Sequence, residues 1–277
     1  MPFFPQDEYQ CGPAALATVL AGAGVKIPPL ELVPQVYLPA RQGSLQVEML
    51  AAARRNGLVS YQLAPTYEAL LREIAAGTPV IVLQNLGVFD GWHYAVAMGY
   101  DLKRGDLVLR SGETRRKVMD FAVHEFYWKR GGYWAMVAVP PGRIPATAEE
   151  SRWLDAVVAF EKSGRTPQIK ISYLEILKKW PGNLTAAIGL ANAHHTLGEL
   201  AEAEAVLREA AKAEPPSPVV LNNLAQTISD RGRHQEALAF IERAAAAPGK
   251  FLADILKTKE TIQQRLSGAK GGGPAPR

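Results

Sequence analysis

The chain has 277 residues, 48% of them hydrophobic and 21% charged, with a formal net charge of +4. That balance excludes wholesale disorder, and the basic residues, densest at Arg54-Arg55 and Arg115-Arg116-Lys117, lack the clustered stripe of a nucleic-acid binder. No stretch approaches the roughly 18 apolar residues of a membrane-spanning helix, and the single cysteine, Cys11, excludes an internal disulfide or a multi-cysteine zinc site.

Helical periodicity fits 12–23, 45–56 and 66–76. Residues 78–85 (TPVIVLQN) then read as a buried strand bounded by Gly77 and Gly87. A second strand is expected at 93–100 (HYAVAMGY) and a third at 106–111 (DLVLRS), joined by a turn holding Asp101 and Gly105. A short strand at 116–119, a helix at 119–129 and a last strand at 133–139 complete the half. Helices first and antiparallel strands later indicate an α+β domain over 1–140. A Pro-rich linker is expected at 141–150, an all-helical domain at 151–266 and a frayed Gly/Pro-rich tail at 267–277.

The helical half repeats itself. Gly164, Gly198 and Gly232 are spaced by 34 residues, as are Leu190 and Leu224, Ala203 and Ala237, and Pro181 and Pro215. Pro248 falls one residue short of the next slot, and Trp153, Ala187 and Leu221 share another. The pattern resembles the tetratricopeptide repeat, a two-helix unit of this period. Glycine suits the turn between helices, alanine permits close helix packing, and proline ends the second helix. About three units are expected, the first degenerate with Ile169 in a small-residue slot, and 252–266 as a cap.

The chemistry concentrates around Gln6-Asp7-Glu8-Tyr9-Gln10-Cys11-Gly12-Pro13-Ala14-Ala15-Leu16. Proline suits the first turn of a helix, which places Cys11 at a helix N-terminus. The dipole there is expected to lower the thiol pKa, and free backbone N–H groups face any anion forming near the sulfur. A thiolate needs a partner base that later protonates the leaving amine. His93, at the start of a strand, is the candidate, and a helix-borne cysteine facing a sheet-borne histidine is the papain-like arrangement. Gln6 is a candidate side-chain donor to the oxyanion, a contribution of roughly 10²–10³ in rate. His124, His194, His195 and His234 fall on helices and read as packing or surface groups; Trp92 and Trp134 read as core or groove walls. No histidine–carboxylate spacing matches a zinc motif, so neither metal nor cofactor is expected.

Gln6, the Cys11-Gly12-Pro13-Ala14-Ala15-Leu16 block, the "GTPVIVLQN" strand and the "HYAVAMGY" strand together resemble the bacterial double-glycine leader peptidases, the papain-like domains that mature bacteriocin precursors. More narrowly, the chain is similar to stand-alone members followed by tetratricopeptide repeats. The resemblance implies a papain-like cysteine peptidase fold with Cys11 and His93 as catalytic residues. It also shows departures. The family's glutamine usually lies one residue further upstream. An Asp-Pro normally ends the strand after the histidine strand, its Asp orienting the imidazole, whereas Ser111 stands there in this chain. Asp101 is no substitute, lying eight residues along the strand from His93, about 26 Å at ~3.3 Å per residue. Ser111, Glu113, Gln84 or Asn85 could each accept the Nδ1–H bond.

The leading expectation is a cysteine peptidase of peptide or protein substrates whose repeats hold a substrate or partner on a concave surface. A non-catalytic peptide-binding module and a repeat scaffold anchored by its first domain are the competing expectations. The chain opens without an export segment, so the expected compartment is the cytoplasm for a complete chain, or the cell envelope if an upstream export segment is missing.

Overall fold

The structure, a computed structural model, describes residues 2–5, 10–87, 91–247 and 249–271. Two compact units divide at Arg165/Thr166. The first unit begins with α1 (Cys11–Gly22), whose residues Gly12 to Leu20 are all buried. A helix enclosed on every side needs no polar face, and this one carries only small and aliphatic residues around Thr18. There follow α2 (Pro29–Val36), the two-residue strands β1 (Tyr37–Leu38) and β2 (Gly43–Ser44), α3 (Gln46–Arg55), β3 (Val59–Gln62) and α4 (Tyr67–Ala75). The Thr66 hydroxyl caps α4 by accepting from the Ala69 N–H. Then come β4 (Val80–Asn85), β5 (Trp92–Asp101), β6 (Asp106–Ser111), β7 (Thr114–Asp120), α5 (Phe121–Arg130), β8 (Ala135–Val139) and α6 (Glu150–Glu161).

Six strands form an antiparallel sheet in the order β3-β8-β4-β5-β6-β7. Strand alternation divides its side chains. Ile81, Leu83, Tyr94, Val96 and Met136 join Leu16, Leu20, Leu32 and Met49 in one core on the α1 side. The turn before β8 is set by close approach: a Cβ on Gly131 would fall 2.1 Å from the Leu83 carbonyl oxygen. β7, an edge strand, carries exposed Arg115 and Arg116, which discourage pairing with another chain.

Three elements stand beyond the sequence expectation. α2 starts at Pro29 and holds Pro34 within eight residues, so proline content hides it; its hydrophobic stripe still buries Leu32 and Val36. The β1–β2 hairpin has two residues per strand, and β3 is a four-residue segment buried at Val59 to Tyr61 with no alternation to read. The expected linker also behaves differently. Arg143 donates to the Ala76 carbonyl at 2.9 Å and the Thr78 hydroxyl at 2.8 Å. Thr147 donates to the buried Glu73 carboxylate through its N–H and hydroxyl, both at 2.7 Å. Residues 140–149 are thus strapped to α4, and α6 packs on β3 with Trp153 edge-on to Tyr61, centroids 5.8 Å apart. By contact, α6 therefore groups with the first unit.

The second unit consists of α7 (Thr166–Lys179), α8 (Leu184–Thr196), α9 (Leu200–Ala210), α10 (Pro218–Asp230), α11 (His234–Ala245) and α12 (Leu252–Gly271). The 34-residue period has a backbone cause. Gly164, Gly198 and Gly232 have φ of +68°, +76° and +81°, the left-handed conformation that glycine adopts without strain. Trp153, Ala187 and Leu221, sharing one slot, are all buried. Gly189 is demanded by α7, since a Cβ there would lie 2.4 Å from the Tyr173 ring. Pro248 and residues 272–277 lie outside the described residues, and α12 continues through Gly271, past the expected start of the tail. His194 and His195 pair with carboxylates, Glu199 at 2.6 Å and Asp230 at 2.8 Å.

Two buried ionisable groups make stability depend on pH. Tyr67 donates its one proton to the Phe121 carbonyl at 3.0 Å, which can only accept, so His124 Nδ1 donates to the phenol oxygen at 2.6 Å. His124 Nε2 is then a buried bare lone pair without a partner. Burial lowers this histidine to about 4 from an ordinary 6.5. The unfolded chain therefore binds a proton that the folded chain refuses between these values. Stability falls by about 3 kcal/mol as pH drops from ~6.5 to ~4. Denaturant titrations from pH 7 to pH 5 should show a shallower slope for His124→Phe than for wild type; equal slopes contradict the assignment.

Glu204 is the second such group. It is buried on α9 and contacts Arg208 at 2.7 Å, together with Arg231 and Arg233. Burial raises its pKa, but the hydrogen bonds from Arg208 and Arg231 and the charge of Arg233 outweigh it, holding the carboxyl below its ordinary value. Its stabilisation is present above the ordinary carboxyl pKa and is lost as pH falls through the lowered one. Glu204→Ala is expected to cost on the order of 2 kcal/mol at neutral pH, less than a fully buried pair because the arginines stay partly in water. A melting temperature unchanged by that substitution would contradict a stabilising role for this carboxylate and its arginines.

Candidate active site

Cys11 is the first residue of α1. Pro13 sits in the first turn, where a missing N–H costs nothing, and the Ala14 N–H closes the helix onto the Gln10 carbonyl at 3.2 Å. The helix start is wedged against β2: a Cβ on Gly12 would lie 2.2 Å from Ser44 Oγ. The Ser44 carbonyl in turn accepts the Tyr94 hydroxyl at 3.1 Å. Glycine after the cysteine therefore lets the β1–β2 hairpin reach across from α1 to β5. The partly buried Cys11 side chain packs on the α1-side core.

The backbone N–H groups of Tyr94, Gly12 and Cys11 are the polar groups that favour the charged form of the sulfur. The first belongs to β5 and to the residue following His93. The other two are the helix-start donors that the sequence implied. Burial raises the thiol pKa, these backbone groups lower it, and burial dominates, so the thiol lies above its ordinary value. This corrects the expectation of a thiol lowered by the helix dipole: the dipole is present, but the sulfur is taken out of water as well.

His93 is the second residue of β5 and is half-buried. Its Nε2 lies 2.9 Å from Ser111 Oγ at the end of β6. The register carries this contact diagonally, since Val96 pairs with Arg110 beyond a bulge between Ala97 and Gly99. The contact also corrects the expected atom, Nε2 rather than Nδ1. The other candidates are engaged elsewhere or turned outward. Gln84 pairs directly opposite His93, but its amide nitrogen lies 4.0 Å from Met119 Sδ. Asn85 Oδ1 accepts the Gly87 N–H at 3.1 Å. Glu113 is exposed in the β6–β7 turn, and Asp101 caps the β5–β6 turn through the N–H groups of Lys103 and Arg104. Gln6 lies outside the described residues.

Of the two tryptophans flagged by sequence, Trp134 is buried, its ring edge-on to Tyr94 at 5.7 Å, and Trp92 is exposed. Sequence reasoning missed Ser44 and Tyr94 as the pieces that fix the gap between α1 and β5. Only Gly12 signalled them, by its lack of a side chain. Among the described residues, no three His, Cys, Asp or Glu side chains gather to hold a metal ion, and no helix is long and apolar enough to cross a membrane.

Residues 1–133 match the model of the Peptidase C39-like family. Residues 149–226 and 219–247 match two tetratricopeptide-repeat models. Among solved structures, the peptidase domain of Streptococcus ComA, a bifunctional ABC transporter involved in a quorum-sensing pathway, is 21% identical with a TM-score of 0.43, covering 50% of this chain and 97% of that one. A C39-like peptidase described from Bacillus anthracis is 17% identical with a TM-score of 0.41, covering 50% and 94%. The tetratricopeptide domain of Sgt2 from Aspergillus fumigatus is 18% identical with a TM-score of 0.42, covering 47% and 87%. No curated protein matches the chain.

The raised thiol has a direct consequence. In the absence of peptide, carbamidomethylation of Cys11 by iodoacetamide should still be accelerating at pH 9, where an ordinary thiol is half ionised. A rate that levels off below pH 7 would mean that the resting sulfur is already a thiolate.

Proposed function

The chain carries a Peptidase C39-like domain followed by tetratricopeptide repeats, and we propose that this domain is an active cysteine peptidase. One observation carries the reading: the Cys11 sulfur, at a helix N-terminus, rests on the backbone N–H next to His93, whose imidazole is held by Ser111. With Nε2–H donating to the Ser111 oxygen, Nδ1 is the basic nitrogen. The resting thiol is neutral, so His93 takes its proton as the sulfur attacks the peptide carbonyl. The imidazolium then protonates the leaving amine, and water hydrolyses the thioester with His93 as base. The Cys11 N–H faces the developing oxyanion, and Gln6 is its side-chain donor in this scheme. A serine in place of a carboxylate gives the imidazolium less electrostatic support, which slows the reaction without changing its course. The repeats hold the substrate or a partner protein on their concave face.

Digestion of a peptide library is the test. Cys11→Ala should abolish cleavage, and His93→Ala should lower it by roughly 10²–10⁴-fold. Ser111→Ala, losing one hydrogen bond of about 1 kcal/mol, should cost about fivefold, and Ser111→Asp should exceed wild type. Cleavage that survives Cys11→Ala contradicts the proposal. A chain that binds peptides but cleaves none supports the second reading, a peptide-binding module, which the buried neutral thiol and the missing carboxylate favour.

A further inference from the structure

Tyr94 lies in the α1-side core with 2% of its surface exposed, and its ring is held edge-on to Trp134 at 5.7 Å. A phenol buried this deeply needs a partner for its hydroxyl. Here that partner is a main-chain group of another element, the Ser44 carbonyl of β2 at 3.1 Å. Ser44 in turn presses on the start of α1: a Cβ on Gly12 would lie 2.2 Å from its Oγ and 2.6 Å from its Cβ. The Ser44 hydroxyl is buried without a hydrogen-bond partner among the described residues, so the side chain meets Gly12 by packing alone. The β1–β2 hairpin has two residues in each strand, too few to hold a position without outside support. The main chain of Tyr94 faces the nucleophile as well, since its N–H is among the groups that favour a charged sulfur. Burial and then the charge of Cys11 raise the Tyr94 hydroxyl, which places the phenol within electrostatic reach of that sulfur. One residue therefore addresses the sulfur through its backbone and the hairpin beside the sulfur through its side chain.

We propose that Tyr94 is a positioning residue: its hydroxyl, bound to the Ser44 carbonyl, holds the β1–β2 hairpin against the first turn of α1 and so fixes the Cys11 sulfur in its seat on β5. This inference rests on the peptidase reading and adds to it what keeps the nucleophile in place. Without the hydroxyl the ring keeps its packing on Trp134, but the hairpin loses its tie to β5 and can move off Gly12. Water then reaches the sulfur, which weakens the burial that favours the neutral thiol. A sulfur free to sample several positions also meets a peptide carbonyl in attack geometry less often, which slows the chemical step and leaves binding unchanged. Tyr94 exchanges no proton with the substrate and acts through Ser44 alone.

The test compares wild type with Tyr94→Phe and, as a measure of simple structural loss, Tyr67→Phe. Tyr67 also donates its hydroxyl to a main-chain carbonyl, that of Phe121 at 3.0 Å, but its partners lie on α5 and not on the hairpin. Alkylation of Cys11 by iodoacetamide is followed across pH in the full chain. Tyr94→Phe should displace the profile to lower pH and react about 3–10-fold faster than wild type at neutral pH, whereas Tyr67→Phe should follow wild type. On a cleavable peptide, Tyr94→Phe should lower kcat by about tenfold with KM within about twofold of wild type. An alkylation profile for Tyr94→Phe that coincides with wild type, or one that Tyr67→Phe reproduces, overturns the positioning role and leaves the peptidase reading standing. A rise in KM at unchanged kcat overturns it as well. If wild type cleaves no peptide, the peptidase reading falls, and the alkylation profiles alone decide on Tyr94.

Discussion

The first unit is organised by the seating of one helix end on one strand. The start of α1 meets β5 through the contact between the Cys11 sulfur and the Tyr94 N–H, and the β1–β2 hairpin bridges the two from the side. Gly12 is the residue that permits it, because any Cβ would occupy the space of the Ser44 side chain. With α1 buried on all sides, its axial position is fixed by packing along its whole length. A nucleophile at the first residue of such a helix inherits that rigidity, and so does a histidine on the strand beneath it.

The same seating sets the electrostatics. A helix N-terminus offers unpaired N–H groups, which favour a thiolate, yet tight seating removes the sulfur from water, which favours the thiol. Burial is the larger influence on Cys11. The Cys11 thiol is therefore held above its ordinary pKa. On its Nε2 side the His93 imidazole meets a neutral serine and not a carboxylate.

Much of this was readable from residue order. The β6 strand was expected over 106–111 and occupies Asp106–Ser111, because its alternation and the Asp101/Gly105 turn leave little freedom. The 34-residue period was equally plain, since each repeat needs a left-handed residue at its inter-helix turn. The Cys11–Gly12–Pro13 block signalled a helix start through proline and glycine chemistry. What stayed hidden depends on packing. Prolines masked α2, brevity masked β3, and the strap at 140–149 is held by side chains far apart in the chain. The sulfur's protonation turns on burial, which proximity to a helix end does not reveal. The choice of Ser111 over Gln84, Asn85 and Glu113 needed the β5 bulge and the competing hydrogen bonds of the first two.

The central claim is that the Cys11 sulfur attacks a peptide carbonyl while His93 removes its proton. Rapid acid quenching of the full chain with a cleavable peptide ester, followed by mass spectrometry, addresses it directly. The account predicts a transient acyl adduct on the fragment containing Cys11, formed far more slowly in His93→Ala and persisting longer once formed. An adduct located on another residue, or one that forms and decays at the same rate without His93, would contradict it.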